Sequence, residues 1–152
     1  MQHEITKKIP LLNANGDLTE PGYAKKLLPV YRRADVRAIR LRLKEWDYYL
    51  VSNGRFALAL TIADNGYMGL DSISIIELEE KWEITTSPMS LMTLGKVGLP
   101  ENSASGVSQH AGKGYTIKFS ALGDGRRVLS AHMDRFGDKG AIDALVELYD
   151  EP

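Results

Sequence analysis

Apolar and polar residues alternate with a period of two over much of the chain, which is the spacing of a half-buried β-strand. The clearest case follows Asn53-Gly54, a dipeptide that accepts the positive φ angles of a tight hairpin turn. Large side chains alternate there with small ones. We expect the large residues to face a core and to pair with the preceding strand at 46–51: Phe56, Leu58, Leu60 and Ile62.

The same alternation, bounded by Gly, Asn, Asp or Pro, predicts a succession of further strands. One begins at Ile39 and changes phase near Lys44-Glu45, where we expect a β-bulge because one extra residue exchanges the two faces. Residues 98–114 are rich in Gly, Ser and Asn and have no period, which is typical of a long loop. The remaining predicted strands are 67–78, 82–86, 89–94, 115–119, 128–133 and 141–149.

A short helix is predicted near the N-terminus. Thr19 can cap it, Glu20-Pro21 suits its first turn, and Pro29 limits its length within residues 23–31. Many strands joined by tight turns indicate a mostly β fold, either an antiparallel barrel or a partly open sandwich. The 152 residues suffice for a single β domain with its own core.

Composition excludes several classes of function. The formal net charge of -1 gives no general attraction to nucleic acid. The eight basic residues between Lys25 and Lys44 form either an anion-binding face or a solvated surface. No apolar run approaches the roughly 20 residues of a membrane helix, and no secretory signal is recognisable at the N-terminus. We therefore expect a cytoplasmic protein without a membrane span.

Three residues are candidates for acid–base chemistry. Asp47 lies between Trp46 and Tyr48 in a predicted strand, where Asp is unusual, although its face could simply be wet. Asp64 opens an Asp-Asn-Gly turn, so it either caps that turn or acts chemically. His132 lies on a strand and is either a surface group or a catalyst. The absence of cysteine and the scattered histidines predict no metal site, and no cofactor motif is present.

The small side chains that alternate with Phe56–Ile62 suggest a second kind of site. They either allow close packing of another element or leave room for a ligand. Nearby aromatic and methionine side chains could supply adaptable apolar walls. The ligand-binding candidates are Ala57, Ala59, Thr61, Tyr67 and Met68.

The segment Ala63-Asp64-Asn65-Gly66-Tyr67-Met68-Gly69 resembles an uncharacterised bacterial family known only as a domain of unknown function. Segments 20–24, 44–49 and 87–89 and the pair Gly95-Lys96 extend this resemblance over most of the chain. More distantly, the family is similar to lipocalin-like carotenoid hydratases of the hydroxyneurosporene synthase type. The resemblance implies a lipocalin-like β fold and a chain that corresponds to the N-terminal lobe of a longer, two-lobed protein. It implies no established activity.

The leading hypothesis is a module that binds an apolar or amphipathic small molecule. One alternative is a lobe of a hydratase- or isomerase-type enzyme that uses Asp47, Asp64 or His132 on such a ligand. Another is a purely structural lobe. The strand at 46–51 carries large groups on both faces, so we also expect it to be covered by a second lobe or by a second copy in a homodimer.

Overall fold

The N-terminal unit contains little regular structure. A computed structural model describes residues 2–149, which fall into two compact units at 2–39 and 40–149. In the first unit, β1 (Ile9–Pro10) and β2 (Pro29–Val30) pair in parallel, and a single 3-10 turn spans Arg33–Asp35. The predicted helix at 23–31 is not formed.

The helix fails because this segment is the extended partner of the N-terminal residues. The Ile5 amide donates to the Tyr23 carbonyl at 2.8 Å, and the Leu11 amide donates to the Val30 carbonyl at 2.9 Å. Pro29 also disfavours helical backbone at Leu28. Tertiary pairing therefore overrides the helix-start signal at Thr19-Glu20-Pro21.

The second unit consists of two antiparallel sheets. Their strands are β3 Glu45–Ser52, β4 Phe56–Asp64, β5 Met68–Glu77, β6 Trp82–Thr86, β7 Met89–Leu91, β8 Ser105–Gly112, β9 Tyr115–Leu122, β10 Arg126–Met133 and β11 Ile142–Tyr149. The five-stranded sheet has the order β3-β4-β5-β6, and the short β7 also pairs with β5. The four-stranded sheet has the order β11-β10-β9-β8.

The core lies between these two sheets. Leu60, Ile62 and Ile73 from the five-stranded sheet pack with the four-stranded sheet's Ile117 and Leu129, all almost fully buried. The predicted β3–β4 hairpin is confirmed, as is the inward direction of Leu60 and Ile62. Phe56, at the start of β4, is instead partly exposed beside Trp82. Among the described strands neither sheet closes on itself, so the fold is an open sandwich and not a barrel.

Three further predictions are wrong. Residues 39–44 form turns instead of a strand, and the change of phase at Lys44-Glu45 marks the start of β3, not a bulge. The predicted loop at 98–114 contains the eight-residue strand β8. Small and polar side chains hide the period of β8, but pairing with β9 keeps the strand extended. None of the helices within residues 2–149 has the length and apolar character needed to span a bilayer.

Candidate functional site

A row of polar side chains crosses the interior of the sandwich. In the five-stranded sheet, the register aligns Asp47 of β3, Ile62 of β4 and Asp71 of β5. Because directly paired residues share a face, both carboxylates point inward with the buried Ile62. On the opposite sheet, β8 directs Ser108 and His110 inward, since they pair with the core residues Phe119 and Ile117.

Asp71 is the centre of this row. It is 1% exposed, and its Oδ2 atom accepts a hydrogen bond from the Tyr115 hydroxyl at 2.7 Å. The same oxygen lies 2.5 Å from Nδ1 of His110. The other carboxylate oxygen, Oδ1, is buried and has no hydrogen-bond partner among the described residues. Buried polar atoms are nearly always paired, so an unpaired one needs an explanation, such as a catalytic role or a bound water or ion.

His110 is held by Asp71 in one orientation. A carboxylate beside Nδ1 favours the tautomer in which that nitrogen carries the proton and donates it. The lone pair then belongs to Nε2, for which the described residues provide no hydrogen-bond partner. The His110 side chain is 25% exposed, so part of it is in contact with solvent.

Tyr115 is positioned by the hairpin that joins β8 to β9. A side chain at Gly112 would place its Cβ atom 2.3 Å from Cε1 of Tyr115, so only glycine leaves room for the ring. Burial, followed by the hydrogen bond to Asp71 and the charge of that carboxylate, raises the pKa of the Tyr115 hydroxyl. The phenol therefore stays protonated and acts as a donor to Asp71.

Tyr115 also lines an open cleft of about 340 Å³ at one end of the sandwich. We call it the end cleft. Its walls come from the β6–β7 connection, the β8–β9 turn and the end of β10. The lining residues are Thr86, Ser87, Pro88, Lys113, Gly114, Tyr115, Met133, Asp134 and Arg135.

Asp47, a candidate from the sequence, has a separate partner in the interior. The buried Ser108 hydroxyl donates to its Oδ2 atom at 2.6 Å. Burial and then the Asp47 charge raise the pKa of the neighbouring Tyr49 hydroxyl, although Arg127 opposes that rise. The structure thus gives Asp47 an inward, hydrogen-bonded place on the same row as Asp71.

Asp64 lies at a buried turn and is saturated with donors. Its Oδ1 atom accepts from the Thr93 hydroxyl at 2.6 Å and from the Gly66 amide at 2.9 Å. Its Oδ2 atom accepts from the Val97 amide at 3.3 Å. This arrangement is the one expected if Asp64 caps the Asp-Asn-Gly turn.

His132 lies on the outer face of β10. Its Nδ1 atom is 2.8 Å from Oδ1 of Asp143, and its Nε2 atom is 3.0 Å from Oδ1 of Asp134. The hydrogen bond to Asp143, and then that to Asp134, raises the pKa of the imidazole. Hydrogen bonds join none of Asp47, Asp64 and His132 to one another in the described part of the chain.

The predicted ligand-binding residues of β4 lie on the outer face of the five-stranded sheet. Ala57, Ala59 and Thr61 run along β4, and the two alanines are buried there. Tyr67 lies in the turn before β5, and Met68 is the first residue of that strand. Large side chains of β3 stand directly beside the small ones of β4 and remain exposed: Trp46, Tyr48 and Leu50. This surface is apolar, and it lies on the opposite side of the sheet from Asp71.

Sequence reasoning missed Asp71, His110 and Tyr115 as a group. A signal for Asp71 was present, because it shares the parity of Ile73 and Ile75 in a predicted strand and was therefore bound to face the core. His110 could not be found in that way, since β8 was predicted as a loop. Within residues 2–149, no cluster of three or more His, Cys, Asp or Glu side chains is arranged to hold a metal ion.

Residues 2–152 match a family model described as Domain of unknown function (DUF2804). The chain belongs to this family. The resemblance to an uncharacterised family is therefore confirmed, whereas bacterial origin and similarity to carotenoid hydratases stay predictions. No curated protein and no solved structure matches the DUF2804 chain. Its function has to be argued from its own geometry.

Proposed function

We propose that this DUF2804 chain binds an amphipathic small molecule in the end cleft. The observation that carries the proposal is the cleft itself. Its volume of about 340 Å³ lies within the range of roughly 300–1,000 Å³ that is usual for small-molecule sites. The proposal also includes that the chain is related to lipocalin-like proteins and forms one lobe of a longer protein.

The lining of the end cleft favours a ligand with an anionic head and an apolar tail. Pro88, Tyr115 and Met133 offer apolar or aromatic surface to the tail. Lys113 and Arg135 provide two positive charges against the single negative charge of Asp134. A guanidinium and an ammonium group are suited to bind a carboxylate.

Binding of dodecanoate, measured by isothermal titration calorimetry, tests the proposal. The double variant Lys113→Glu/Arg135→Glu should weaken binding by roughly tenfold or more, because the head group loses its counter-charges. Lys118→Glu is the matched control, since Lys118 is an exposed residue of β9 that does not line the end cleft. Equal weakening in the control and the double variant, or no binding by the wild-type chain, would refute the proposal.

A second candidate function is self-association through β3. This strand is an edge of the five-stranded sheet and pairs only with β4 among the described strands. Its outer face exposes Trp46, Tyr48 and Leu50, with Trp46 66% exposed. Antiparallel pairing of β3 with its copy across a two-fold axis would continue the sheet and join both apolar faces. Light scattering should then give the mass of a dimer, and Leu50→Lys should give a monomer.

A further inference from the structure

We propose that His110 and Asp71 form an acid–base dyad in which Nε2 of His110 exchanges a proton with a bound small molecule. The proposal extends the function proposed above and rests on it in one respect. Tyr115 lines the end cleft and donates a hydrogen bond to Asp71 of the dyad, so the ligand of that cleft is expected to be the substrate.

Asp71 is a rigid support for the imidazole. Its backbone lies in the middle of β5, paired with β4, and its amide donates to the Pro88 carbonyl at 3.1 Å. Tyr115 donates to the same carboxylate oxygen that faces His110. The carboxylate therefore cannot rotate without losing both contacts, and it holds the ring with Nδ1 directed at Asp71.

A structural carboxylate in this chain is bonded differently. Asp64 has donors on both of its oxygens, and so does Glu77, which accepts from Arg55 on Oε1 and from the Glu80 amide on Oε2. Asp71 instead accepts both contacts on Oδ2, and its Oδ1 has no hydrogen-bond partner within residues 2–149. A group retained only for stability would be expected to resemble Asp64 and Glu77, because an unpaired buried oxygen is destabilising.

The proton transfer needs no added reactant. A bond between hydrogen and carbon or oxygen of the substrate breaks, its electron pair stays on the substrate, and the proton moves to Nε2. The imidazolium so formed is neutralised by the Asp71 carboxylate. Return of the proton to a different atom of the same molecule completes an isomerisation. Tyr115 remains protonated throughout, as a positioning residue for Asp71.

Acylation by diethyl pyrocarbonate tests directly whether Nε2 of His110 is unprotonated and accessible. An unprotonated imidazole nitrogen attacks the carbonyl carbon of the reagent and displaces ethyl carbonate, which decomposes to carbon dioxide and ethanol. At pH 7, tandem mass spectrometry should show His110 modified roughly tenfold faster than His132, whose ring nitrogens both face carboxylates. Exposure alone predicts the reverse, because the His132 side chain is 41% exposed and that of His110 is 25% exposed.

The dyad also has a spectroscopic signature. Long-range ¹⁵N–¹H spectra of the ligand-free chain should show His110 as the Nδ1-protonated tautomer, and Asp71→Asn should disturb that tautomer and slow acylation. Asp47→Asn is the control, because Asp47 occupies the same inward row but bonds Ser108.

The possible results distinguish failure of the dyad proposal from failure of the proposed ligand binding in the end cleft. Faster acylation of His132 than of His110, or an Nε2-protonated His110 in the wild-type chain, would overturn the dyad even if Asp71→Asn did not fold. These measurements use no ligand, so failure of dodecanoate binding leaves them intact. With dodecanoate bound, acylation of His110 should slow. Undiminished acylation would overturn only the assignment of the substrate to the end cleft.

Discussion

Replacing Thr93 by Val removes one donor from the buried Asp64 carboxylate and keeps the shape of the side chain. The Thr93 hydroxyl donates to Oδ1 of Asp64 at 2.6 Å, and Asp64 is 3% exposed. A hydrogen bond to a charged group contributes about 1.5–3 kcal/mol. We expect Thr93→Val to lower the free energy of unfolding by that amount at pH 7, measured by urea denaturation followed by circular dichroism.

The same variant predicts a dependence on pH. Burial pushes the pKa of Asp64 upward, but the hydrogen bonds from Thr93 and from the Gly66, Gly95 and Val97 amides outweigh it and lower the pKa. A carboxyl group with a lowered pKa stabilises the fold above its unfolded value, about 3.9, and this contribution is lost as pH falls through the folded pKa. The difference between wild type and Thr93→Val should therefore be full at pH 7 and should shrink below pH 4.

Thr93→Ser is the matched control, because it keeps the hydroxyl and loses only a methyl group. That loss should cost about 0.8 kcal/mol and should not vary with pH. Equal destabilisation by Thr93→Ser and Thr93→Val would contradict this expectation. So would a deficit of Thr93→Val that does not shrink as the pH falls through the folded pKa of Asp64, which lies below the usual value of 3.8. Either result would mean that Asp64 gains nothing from the hydroxyl, and the turn-capping explanation of Asp64 would lose its support.

Three further outcomes are expected. Leu60→Ala should lower the free energy of unfolding by about 2–5 kcal/mol, and a loss below about 0.5 kcal/mol would show that Leu60 does not fill the core. Gly112→Ala should displace the Tyr115 ring and change the His110 resonances in NMR spectra. Gly54→Ala strains its own turn, where φ is +94°, but should leave the His110 resonances unchanged because its new Cβ atom meets nothing within 4 Å. Arg55→Met should move acid unfolding to higher pH. The hydrogen bond from the Glu80 amide lowers the pKa of Glu77 most, burial opposes it, and Arg55 lowers the pKa further. Stability that comes from a lowered pKa is lost as pH falls, so without Arg55 that loss should begin at a higher pH.

Local pattern was sufficient to predict much of the second unit. The β3–β4 hairpin follows from Asn53-Gly54 and from the alternation around Leu60, both of which are encoded within about twenty residues. The N-terminal helix could not be excluded in that way. Its start signal is local, but the hydrogen bonds that pull Tyr23 and Val30 into extended pairing come from residues 5 and 11.

The site is harder to predict because its members come from different sheets. Asp71 and His110 are 39 positions apart and meet only because β5 and β8 face one another across the core. Their inward direction depends on strand register, and β8 shows no hydrophobic period from which register could be derived. Asp47 was found because an acid between aromatic residues is unusual, yet its bond to Ser108 spans 61 positions.

The position of Asp71 conflicts with its own strand. Ile73 and Ile75 have the same parity, so an apolar residue at position 71 would continue the core-facing pattern. The chain instead places there a carboxylate that is 1% exposed and whose Oδ1 has no partner in the described structure. Positions at which local pattern and global fold disagree are where function is most often found, since selection for stability alone would remove the conflict. This conflict, more than the mere proximity of His110 and Tyr115, favours the interior row over the exposed His132 as the site of the proposed proton transfer.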